Sequence, residues 1–269
     1  MIFEVKPSVV GHRGFGAGEP GGYRENSVES FLAAADSGVP WVELDARRSS
    51  DGELVLWHDP VTPAGDVIVT RTADELAAAG IVRLDDVLSA LPARVGVNID
   101  VKTIIEDATD PEARRTYALV AAALRLYQGT RRFFVSSFDP ALPLYLKDRK
   151  AEIGDVALGL ITVADFPAFH VVPAAANLGL DAICVHTRTL HLHRNELRPQ
   201  DISADRVIDA THRAGLEVMV WSPSPAEAVR LARAGVDAVC VNDIPGVQAE
   251  LRLARGNRLV RYVRKRLRP

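Results

Sequence analysis

The stretch Trp41-Val42-Glu43-Leu44-Asp45-Ala46 is a short apolar run that carries two carboxylates. Other apolar runs of strand length recur along the chain and alternate with longer segments of helical period, about eight times in all. Each run is nearly continuous rather than alternating, as expected for parallel strands covered by helices on one side and by a packed interior on the other. Eight such units in about 250 residues predict an α/β fold, a closed (β/α)8 TIM barrel.

The predicted barrel occupies most of the chain as a single domain. With 269 residues and 48% apolar side chains, the sequence can form one large core, and no change in composition marks a linker. Gly38, Gly215 and Gly235 lie where helices should end before the next strand. Asn26 followed by Glu29 predicts a capping box at the start of the first helix. The predicted strands cover residues 9–12, 41–46, 95–101, 133–137, 156–162, 182–186, 217–221 and 238–242, and the predicted helices include 27–37, 111–127, 205–214 and 225–234.

One segment departs from this alternation. After the second strand, residues 54–60 form a short predicted extension that turns His58 back over the barrel mouth. Residues 61–81 follow as a loop with a small alanine-rich helix, and the two pieces predict a short lid. Residues 1–256 are assigned to the barrel. Residues 257–269 are assigned to a basic amphipathic tail, which is predicted to be a C-terminal helix because its apolar residues fall at helical spacing.

The distribution of charge along the chain restricts the kinds of macromolecule or membrane that the protein can bind. The formal net charge is −3, and an acidic body argues against nucleic-acid binding although the tail is basic. The tail either lies peripherally on an anionic membrane or packs against the barrel with a solvated basic face, and the sequence leaves both interpretations open.

The expected location is the cytoplasm, with peripheral attachment at the inner membrane face as the alternative. The first residues lack the basic start and apolar run of a secretion signal, and no apolar run is long enough to span a bilayer. The two cysteines, Cys184 and Cys240, lie in apolar strand-like runs, which argues against a disulfide framework and against a thiolate metal site.

Three carboxylates fall at the ends of neighbouring predicted strands, where the chemistry of TIM barrels gathers. Glu43 and Asp45 are two residues apart, so their side chains share a face, and Asp100 ends the next strand. Grouped carboxylates repel one another, and a hard divalent ion with oxygen ligands, Mg²⁺ or Ca²⁺, relieves that repulsion. The alternative is a set of structural carboxylates paired with nearby cations. Those cations are Arg13, Arg47 and Lys102.

Two cations and two histidines lie beside these carboxylates. Arg13 and Lys102 are predicted to neutralise phosphate oxygens, Arg13 with a bidentate grip and Lys102 as a point charge. His12 and His58 are the predicted proton handlers, since an imidazole titrates near neutral pH. Trp221 closes the seventh predicted strand and either stacks on a glycerol-like or choline-like group or packs in the core.

The remaining histidines carry weaker signals. His191 and His193 are predicted to be exposed loop residues, because no cysteine or carboxylate lies at zinc-like spacing in that run. His186 ends the sixth predicted strand and is a candidate pocket liner.

The order and spacing of these motifs resemble the glycerophosphodiester phosphodiesterase family. The resemblance covers nearly the whole chain up to the basic tail. The motifs that carry it are Gly11-His12-Arg13-Gly14, Glu25-Asn26-Ser27, Val42-Glu43-Leu44-Asp45, residues 51–59, Ile99-Asp100-Val101-Lys102, Ser136-Ser137-Phe138, Val218-Met219-Val220-Trp221, Gly235-Val236-Asp237-Ala238 and Asn242-Asp243.

The resemblance implies hydrolysis of a small phosphodiester to an alcohol and glycerol 3-phosphate. The roles that it implies are metal binding by Glu43, Asp45 and Asp100, acid–base work by His12 and His58, and phosphate contact by Arg13 and Lys102. In the related phospholipase mechanism a substrate hydroxyl attacks phosphorus first and gives a cyclic phosphate that water opens, and the sequence leaves this step open.

Three features depart from the family pattern. Asp100 stands where the family usually has glutamate, a side chain one methylene longer. The connection between Gly14 and Glu25 is long and glycine-rich, which predicts a mobile flap at the mouth. The segment from Pro60 to the third strand is shorter than the cap common in the family, which leaves room for a bulkier diester.

Two further hypotheses stay open. One is a lysophospholipase D or sphingomyelinase D-like enzyme that the basic tail brings to membrane lipids. The other is a catalytically silent barrel that binds phosphate compounds or a partner protein. A silent barrel predicts that some catalytic group is missing, whereas this sequence retains both histidines, three carboxylates and two cations.

Overall fold

Eight parallel strands close into a barrel, and one further strand lies antiparallel at its edge. The computed structural model describes residues 1–190 and 203–254. The strand order is β1-β9-β8-β7-β6-β5-β4-β2-β3, and β1 also pairs with β2, which closes the barrel. The predicted (β/α)8 barrel is confirmed, and each predicted strand is present within two residues of its expected ends. The strands are β1 (Ser8–Gly11), β2 (Trp41–Arg48), β3 (Leu54–Leu56), β4 (Gly96–Val101), β5 (Phe133–Ser137), β6 (Ala157–Ile161), β7 (Ala182–His186), β8 (Glu217–Trp221) and β9 (Ala238–Val241).

Helices surround the strands. The predicted helix over residues 111–127 is shorter than expected, because the Asp107 carboxylate accepts the backbone N–H groups of Ile104 and Thr116 and folds the connection before the helix begins. The described helices are α1 (Val28–Asp36), α2 (Ala73–Ala78), α3 (Leu84–Ala90), α4 (Thr116–Leu126), α5 (Ala141–Lys147), α6 (Lys150–Ile153), α7 (Ala168–Leu178), α8 (Thr187–Leu190), α9 (Ala204–Arg213), α10 (Pro225–Ala234) and a helical segment over residues 244–254.

The start of α1 differs from the prediction. Ser27 is the N-cap: its backbone is extended, and its hydroxyl accepts the N–H of Ser30 over 3.2 Å. Asn26 has a left-handed backbone with φ 55°, which an N-cap residue does not adopt. The capping box predicted for Asn26 and Glu29 is therefore wrong, and the Asn26 side chain is free to turn toward β2.

Aromatic side chains fill the amino-terminal end of the barrel. Phe3 is fully buried and lies edge-on to Trp41 and Phe134, with ring centroids 5.6 and 6.0 Å away. A side chain at Gly96 would lie 2.5 Å from the Trp41 indole, so only glycine leaves room for this ring. The N–H of Phe3 donates to the Glu217 carboxylate over 3.2 Å. This end of the barrel is closed, and the mouth is the end where the strands finish.

Side chains alternate along β2 between the barrel interior and the helix layer. Leu44 and Ala46 pack outward in the apolar layer between sheet and helices. Glu43, Asp45 and Arg47 have the opposite parity and follow one another toward the mouth. The sequence pattern of β2 therefore places charged groups inside the barrel without breaking its outer core.

The segment predicted as a lid forms a compact arm, defined here as residues 54–81. Its strand β3 pairs antiparallel with the last residues of β2, in a register that places Leu56 opposite Ala46. The arm has its own small apolar cluster, which keeps it folded beside the mouth. The cluster comprises Val55, Ile68, Ala73, Leu76 and Ile81.

Some predictions concern residues outside the described ranges. The basic tail over residues 257–269 and the two loop histidines, His191 and His193, lie there. Within residues 1–190 and 203–254, no helix combines the length and the apolar composition needed to cross a bilayer.

Candidate active site

Three carboxylates meet inside the mouth of the barrel. Glu43 and Asp45 reach inward from β2, and Asp100 reaches inward from the neighbouring β4, directly opposite Asp45 in the strand register. One oxygen of each carboxylate lies within 4.8 Å of the other two. All three residues are buried, with at most 7% of each exposed. The grouping expected from the strand ends is therefore present.

Two cations contact these carboxylates. Lys102 Nζ lies 3.0 Å from Asp45 Oδ1 and also pairs with Asp100. Arg13 Nε lies 3.2 Å from Asp45 Oδ2, and the Arg13 backbone N–H donates to Glu43 over 2.9 Å. Arg13 has a left-handed backbone with φ 53°. This bend after β1 turns both its N–H and its guanidinium toward the cluster.

The three carboxyl groups differ in proton affinity. Burial raises the pKa of Glu43 well above its ordinary value, and the charges of Asp45 and Asp100 raise it further. Burial raises the pKa of Asp100 to about 6, against the charge of Lys102. Burial also acts to raise the pKa of Asp45, but Lys102 and Arg13 outweigh it and lower that pKa to about 2. Asp45 is therefore ionised at neutral pH, whereas burial and the charges of Asp45 and Asp100 shift Glu43 toward its protonated form.

The donor set suits a hard divalent cation. All three side chains offer carboxylate oxygens, the ligand type that Mg²⁺ and Ca²⁺ prefer. Asp100 Oδ1 is buried and has no hydrogen-bond partner within the described part of the chain, an arrangement that is costly unless a cation or a donor approaches. The shorter side chain of Asp100 still brings an oxygen into the group. These residues fit a divalent ion.

His12 is held in one orientation beside Glu43, with its Nε2 atom 3.9 Å from the carboxylate. Its Nδ1 atom lies 2.6 Å from Asn242 Oδ1, and the N–H of Ala17 donates to the same oxygen over 3.0 Å. Because an amide oxygen only accepts, the proton of neutral His12 lies on Nδ1 and the lone pair on Nε2. Burial, with a contribution from Arg13, lowers the pKa of His12 to about 4.

His58 lies two residues beyond β3, at the edge of the same cavity. Its Nδ1 atom lies 2.7 Å from Asp59 Oδ1, and 40% of its side chain is exposed. Arg47 donates to the His58 backbone carbonyl through Nε at 3.1 Å and Nη2 at 2.6 Å. Arg47 therefore holds the arm, rather than pairing with the carboxylates as the structural alternative expects.

Aromatic side chains line the opposite part of the cavity. Trp221 lies at the end of β8, and its Nε1 atom is buried without a hydrogen-bond partner among the described residues. His186 stacks edge-on against Trp221 with centroids 4.3 Å apart, and it is absent from the described cavity lining, so its prediction as a pocket liner is not supported. The Phe138 ring centroid lies 5.3 Å from Lys102 Nζ.

Two thiols also line the cavity. Cys184 and Cys240 are free and buried. The lining residues are His12, Arg13, Glu43, Asp45, His58, Asn98, Asp100, Lys102, Phe138, Ile161, Cys184, Met219, Trp221 and Cys240. The residues expected to transfer protons, contact the substrate or bind metal are all in this set, whereas the candidate pocket liner His186 is not.

Three asparagines support the site, and sequence reasoning assigns none of them a role in it. Asn26 Nδ2 donates to Asp45 Oδ2 over 2.9 Å, and Asn26 Oδ1 accepts the Asp45 N–H over 3.2 Å. Asn98 lines the cavity and accepts from the Ser136 hydroxyl. Asn242 orients His12. Asn98 and Asn242 could have been recognised from their positions, because Asn98 has an inward-facing place on a predicted strand and Asn242 ends one. Asn26 could not, because its sequence context resembles that of a helix N-cap.

Comparison with known sequences identifies the family of this chain. It matches the model of the glycerophosphoryl diester phosphodiesterase family over residues 12–245. A glycerophosphodiester phosphodiesterase of Caldanaerobacter subterraneus subsp. tengcongensis is 22% identical over 258 residues, which cover 89% of this chain and 95% of that protein. The glycerophosphocholine phosphodiesterase gde1 of Schizosaccharomyces pombe is 41% identical over 56 residues, 19% of this chain. The chain spans 5% of the length of that fungal protein and of its Candida albicans counterpart.

Solved structures share the same barrel. An Oleispira antarctica phosphodiesterase in complex with the product sn-glycerol-3-phosphate superimposes with a TM-score of 0.72 at 21% identity, covering 92% of this chain and 97% of that one. A glycerophosphodiester phosphodiesterase from Thermotoga maritima gives a TM-score of 0.67 at 22% identity, covering 90% and 96%. At these identities the likeness establishes the fold. From the match over residues 12–245, the chain belongs to the glycerophosphoryl diester phosphodiesterase family.

Proposed function

We propose that this protein is a divalent-metal-dependent phosphodiesterase that hydrolyses glycerophosphodiesters to an alcohol and glycerol 3-phosphate. The observation that carries the proposal is the meeting of three carboxylates, two cations and two imidazoles in one cavity at the barrel mouth. Membership of the family supports the reaction class. The product sn-glycerol-3-phosphate bound to the Oleispira antarctica neighbour supports the substrate class.

The carboxylate cluster is the proposed metal site, with Glu43, Asp45 and Asp100 as ligands to Mg²⁺ or Ca²⁺. A bound divalent ion neutralises charge on the phosphoryl oxygens and on the attacking hydroxyl. Arg13 and Lys102 flank the same carboxylates, so a phosphate at this position contacts both cations. The guanidinium suits a bidentate contact and the ammonium a point contact.

The two histidines take opposite roles in the proposal. His12 donates through Nδ1 to Asn242, so its Nε2 lone pair is available to accept a proton from the attacking hydroxyl, whether that hydroxyl belongs to water or to the substrate glycerol. His58 is the proposed acid and acts through Nε2 on the leaving oxygen, because its Nδ1 atom is engaged by the Asp59 carboxylate.

Trp221 is the proposed contact for the glycerol portion. Its ring lies in the cavity opposite the charged cluster, and an indole packs well on carbon-bound hydrogens. The unpartnered Nε1–H is available to a glycerol oxygen. Of the two roles predicted from the sequence, Trp221 is therefore proposed to stack on the substrate rather than only to pack in the core.

The test is hydrolysis of a panel of glycerophosphodiesters with and without a chelator, followed by addition of Mg²⁺ or Ca²⁺. We expect turnover to be lost with the chelator and restored by one of the ions. The double variant His12→Ala, His58→Ala should lose at least about 10³-fold in kcat, because it lacks both proton-transfer groups.

A matched control is His170→Ala, which removes an exposed imidazole on α7 outside the cavity lining. This variant should keep wild-type turnover. Chelator-resistant hydrolysis would refute the metal assignment. Wild-type rates in the double variant would refute the acid–base assignment.

A further inference from the structure

A second cavity lies beside the mouth, between the arm and the connection that follows β4. It has a volume of about 330 Å³ and is termed here the side groove. Pro60, Val67 and Ile68 form the arm wall, and Ile104 and Ile105 form the opposite wall. Val67 is 40% exposed and Ile105 is 86% exposed, so the groove has an open apolar rim.

Two consecutive arginines form the floor of the side groove and anchor its walls. Arg47 donates to the His58 carbonyl and so holds the arm. Arg48 donates to the Arg114 carbonyl over 2.7 Å and pairs with Asp110, and so holds the connection after β4. The side chains of the two arginines therefore hold both walls of the groove in place.

Arg47 has no anionic partner of its own. It is 9% exposed, and no carboxylate oxygen within residues 1–190 and 203–254 lies within 4.0 Å of it. The acidic charges that act on it are paired elsewhere: Asp45 lies 3.0 Å from Lys102 Nζ, and Asp59 lies 2.7 Å from His58 Nδ1. A buried guanidinium without a counter-charge is costly. The floor of the groove therefore suits an anionic group on a ligand.

The side groove adjoins the catalytic cavity. His58 lines the cavity and Pro60, two residues later, lines the groove. Lys102 lines the cavity and Thr103 lines the groove. The same two segments therefore line both cavities, and a diester whose phosphate lies at Lys102 can extend toward Arg47.

We propose that the side groove binds the leaving-alcohol portion of the diester and that Arg47 recognises an anionic group on that portion. This inference rests on the proposed function and specifies its substrate class. A serine head group differs from ethanolamine by one carboxylate, so the pair isolates the contact with Arg47. Glu106 is exposed at the groove rim and offers the opposite charge to the ammonium that both head groups carry.

The experiment compares glycerophosphoserine with glycerophosphoethanolamine. Wild-type kcat/KM should favour the serine diester by about tenfold or more, the effect expected of a hydrogen bond between charged groups. Arg47→Gln should bring this ratio close to one. Because Arg47 also holds His58, both rates fall in that variant, and only the ratio reports on head-group recognition.

The matched control is Arg71→Gln, which removes an exposed arginine of the arm that pairs with Asp66. It should keep the wild-type ratio. Circular dichroism of both variants establishes that they fold. Calorimetric binding of the two diesters to His12→Ala gives the affinity ratio even where turnover is lost.

The outcomes separate the two proposals. Absence of turnover for every glycerophosphodiester refutes the proposed function, and equal binding of both diesters to His12→Ala then refutes the subsite. If wild-type protein turns over both diesters equally, or if Arg47→Gln lowers both rates and leaves the ratio unchanged, Arg47 only holds the arm and the subsite proposal is wrong.

Discussion

Asn242 determines where the proton of His12 lies. The two residues are 230 positions apart in sequence, and their side chains meet at 2.6 Å. A neutral acceptor fixes the tautomer without adding a charge that would favour the imidazolium. In the proposed role of His12 as a base, a fixed tautomer keeps the Nε2 lone pair aimed at the same place in every turnover.

Replacing Asn242 tests this role. Asn242→Ala should lower kcat by roughly 10- to 100-fold with little change in KM, because the imidazole is no longer held in the productive tautomer. Asn242→Asp keeps the acceptor and should keep most of the activity. Its pH–rate profile should differ, since a carboxylate favours the protonated ring and moves the acid limb to higher pH.

The measurement is kcat and KM over a pH series for both variants. Thermal unfolding of each variant controls for loss of structure. Equal losses in the alanine and aspartate variants would contradict a tautomer-fixing role.

At the scale of single elements, the turn before α1 divides two tasks between adjacent residues. Ser27 caps the helix through its hydroxyl, and Asn26 bonds Asp45 with both ends of its amide. The left-handed backbone of Asn26 makes this division possible. It directs the Asn26 side chain toward β2 and leaves the Ser27 side chain at the start of α1.

The two tasks predict different consequences. Ser27→Ala should lower the free energy of unfolding by about 1 kcal/mol, as expected for loss of an N-cap, and leave metal affinity unchanged. Asn26→Ala should weaken metal binding by about 10- to 100-fold, because it removes the groups that orient a ligand carboxylate. Chemical denaturation and metal titration of both variants provide the measurements. A Ser27→Ala variant that loses metal affinity to the same extent would contradict this division.

The barrel strands and the residues of the charged cluster are predictable from the sequence, because apolar runs and strand-end polarity are local signals. The arm is predictable as an interruption, but its antiparallel pairing with β2 is not, since nothing in residues 54–56 specifies the direction of pairing. The role of Asn26 is missed because an asparagine that caps a helix and one that bonds a distant carboxylate have the same local sequence pattern. The side groove is missed because Arg47 and Ile105 are brought together only by folding.

At the scale of the whole molecule, the site exists only when the barrel is closed. Asn242 beyond β9 and His12 beyond β1 are adjacent because β1 pairs with both β9 and β2. The carboxylates of β2 and β4 are likewise forced together by strand pairing. Folding therefore concentrates negative charge that a bound divalent ion would relieve.

Metal binding should consequently stabilise the entire fold. Addition of the preferred ion at about one hundred times its Kd should stabilise the protein by about 2.7 kcal/mol and raise Tm, because the ion binds the folded state alone. Calorimetry with chelator-treated and metal-loaded protein provides the measurement, with K⁺ at matched ionic strength as the control. The Asp100→Asn variant should show a smaller shift. An unchanged Tm on metal addition would contradict a metal site at this cluster.

The packing of Phe3 at the closed end has a practical consequence. The backbone N–H groups of Ile2 and Phe3 both bond the Glu217 carboxylate, which fixes the first residues under the floor of the barrel. Met1 beside them is 94% exposed. A linker fused ahead of Met1 would emerge on the side away from the barrel mouth, so protein immobilised on a bead through that linker would keep its mouth directed to the surrounding solution.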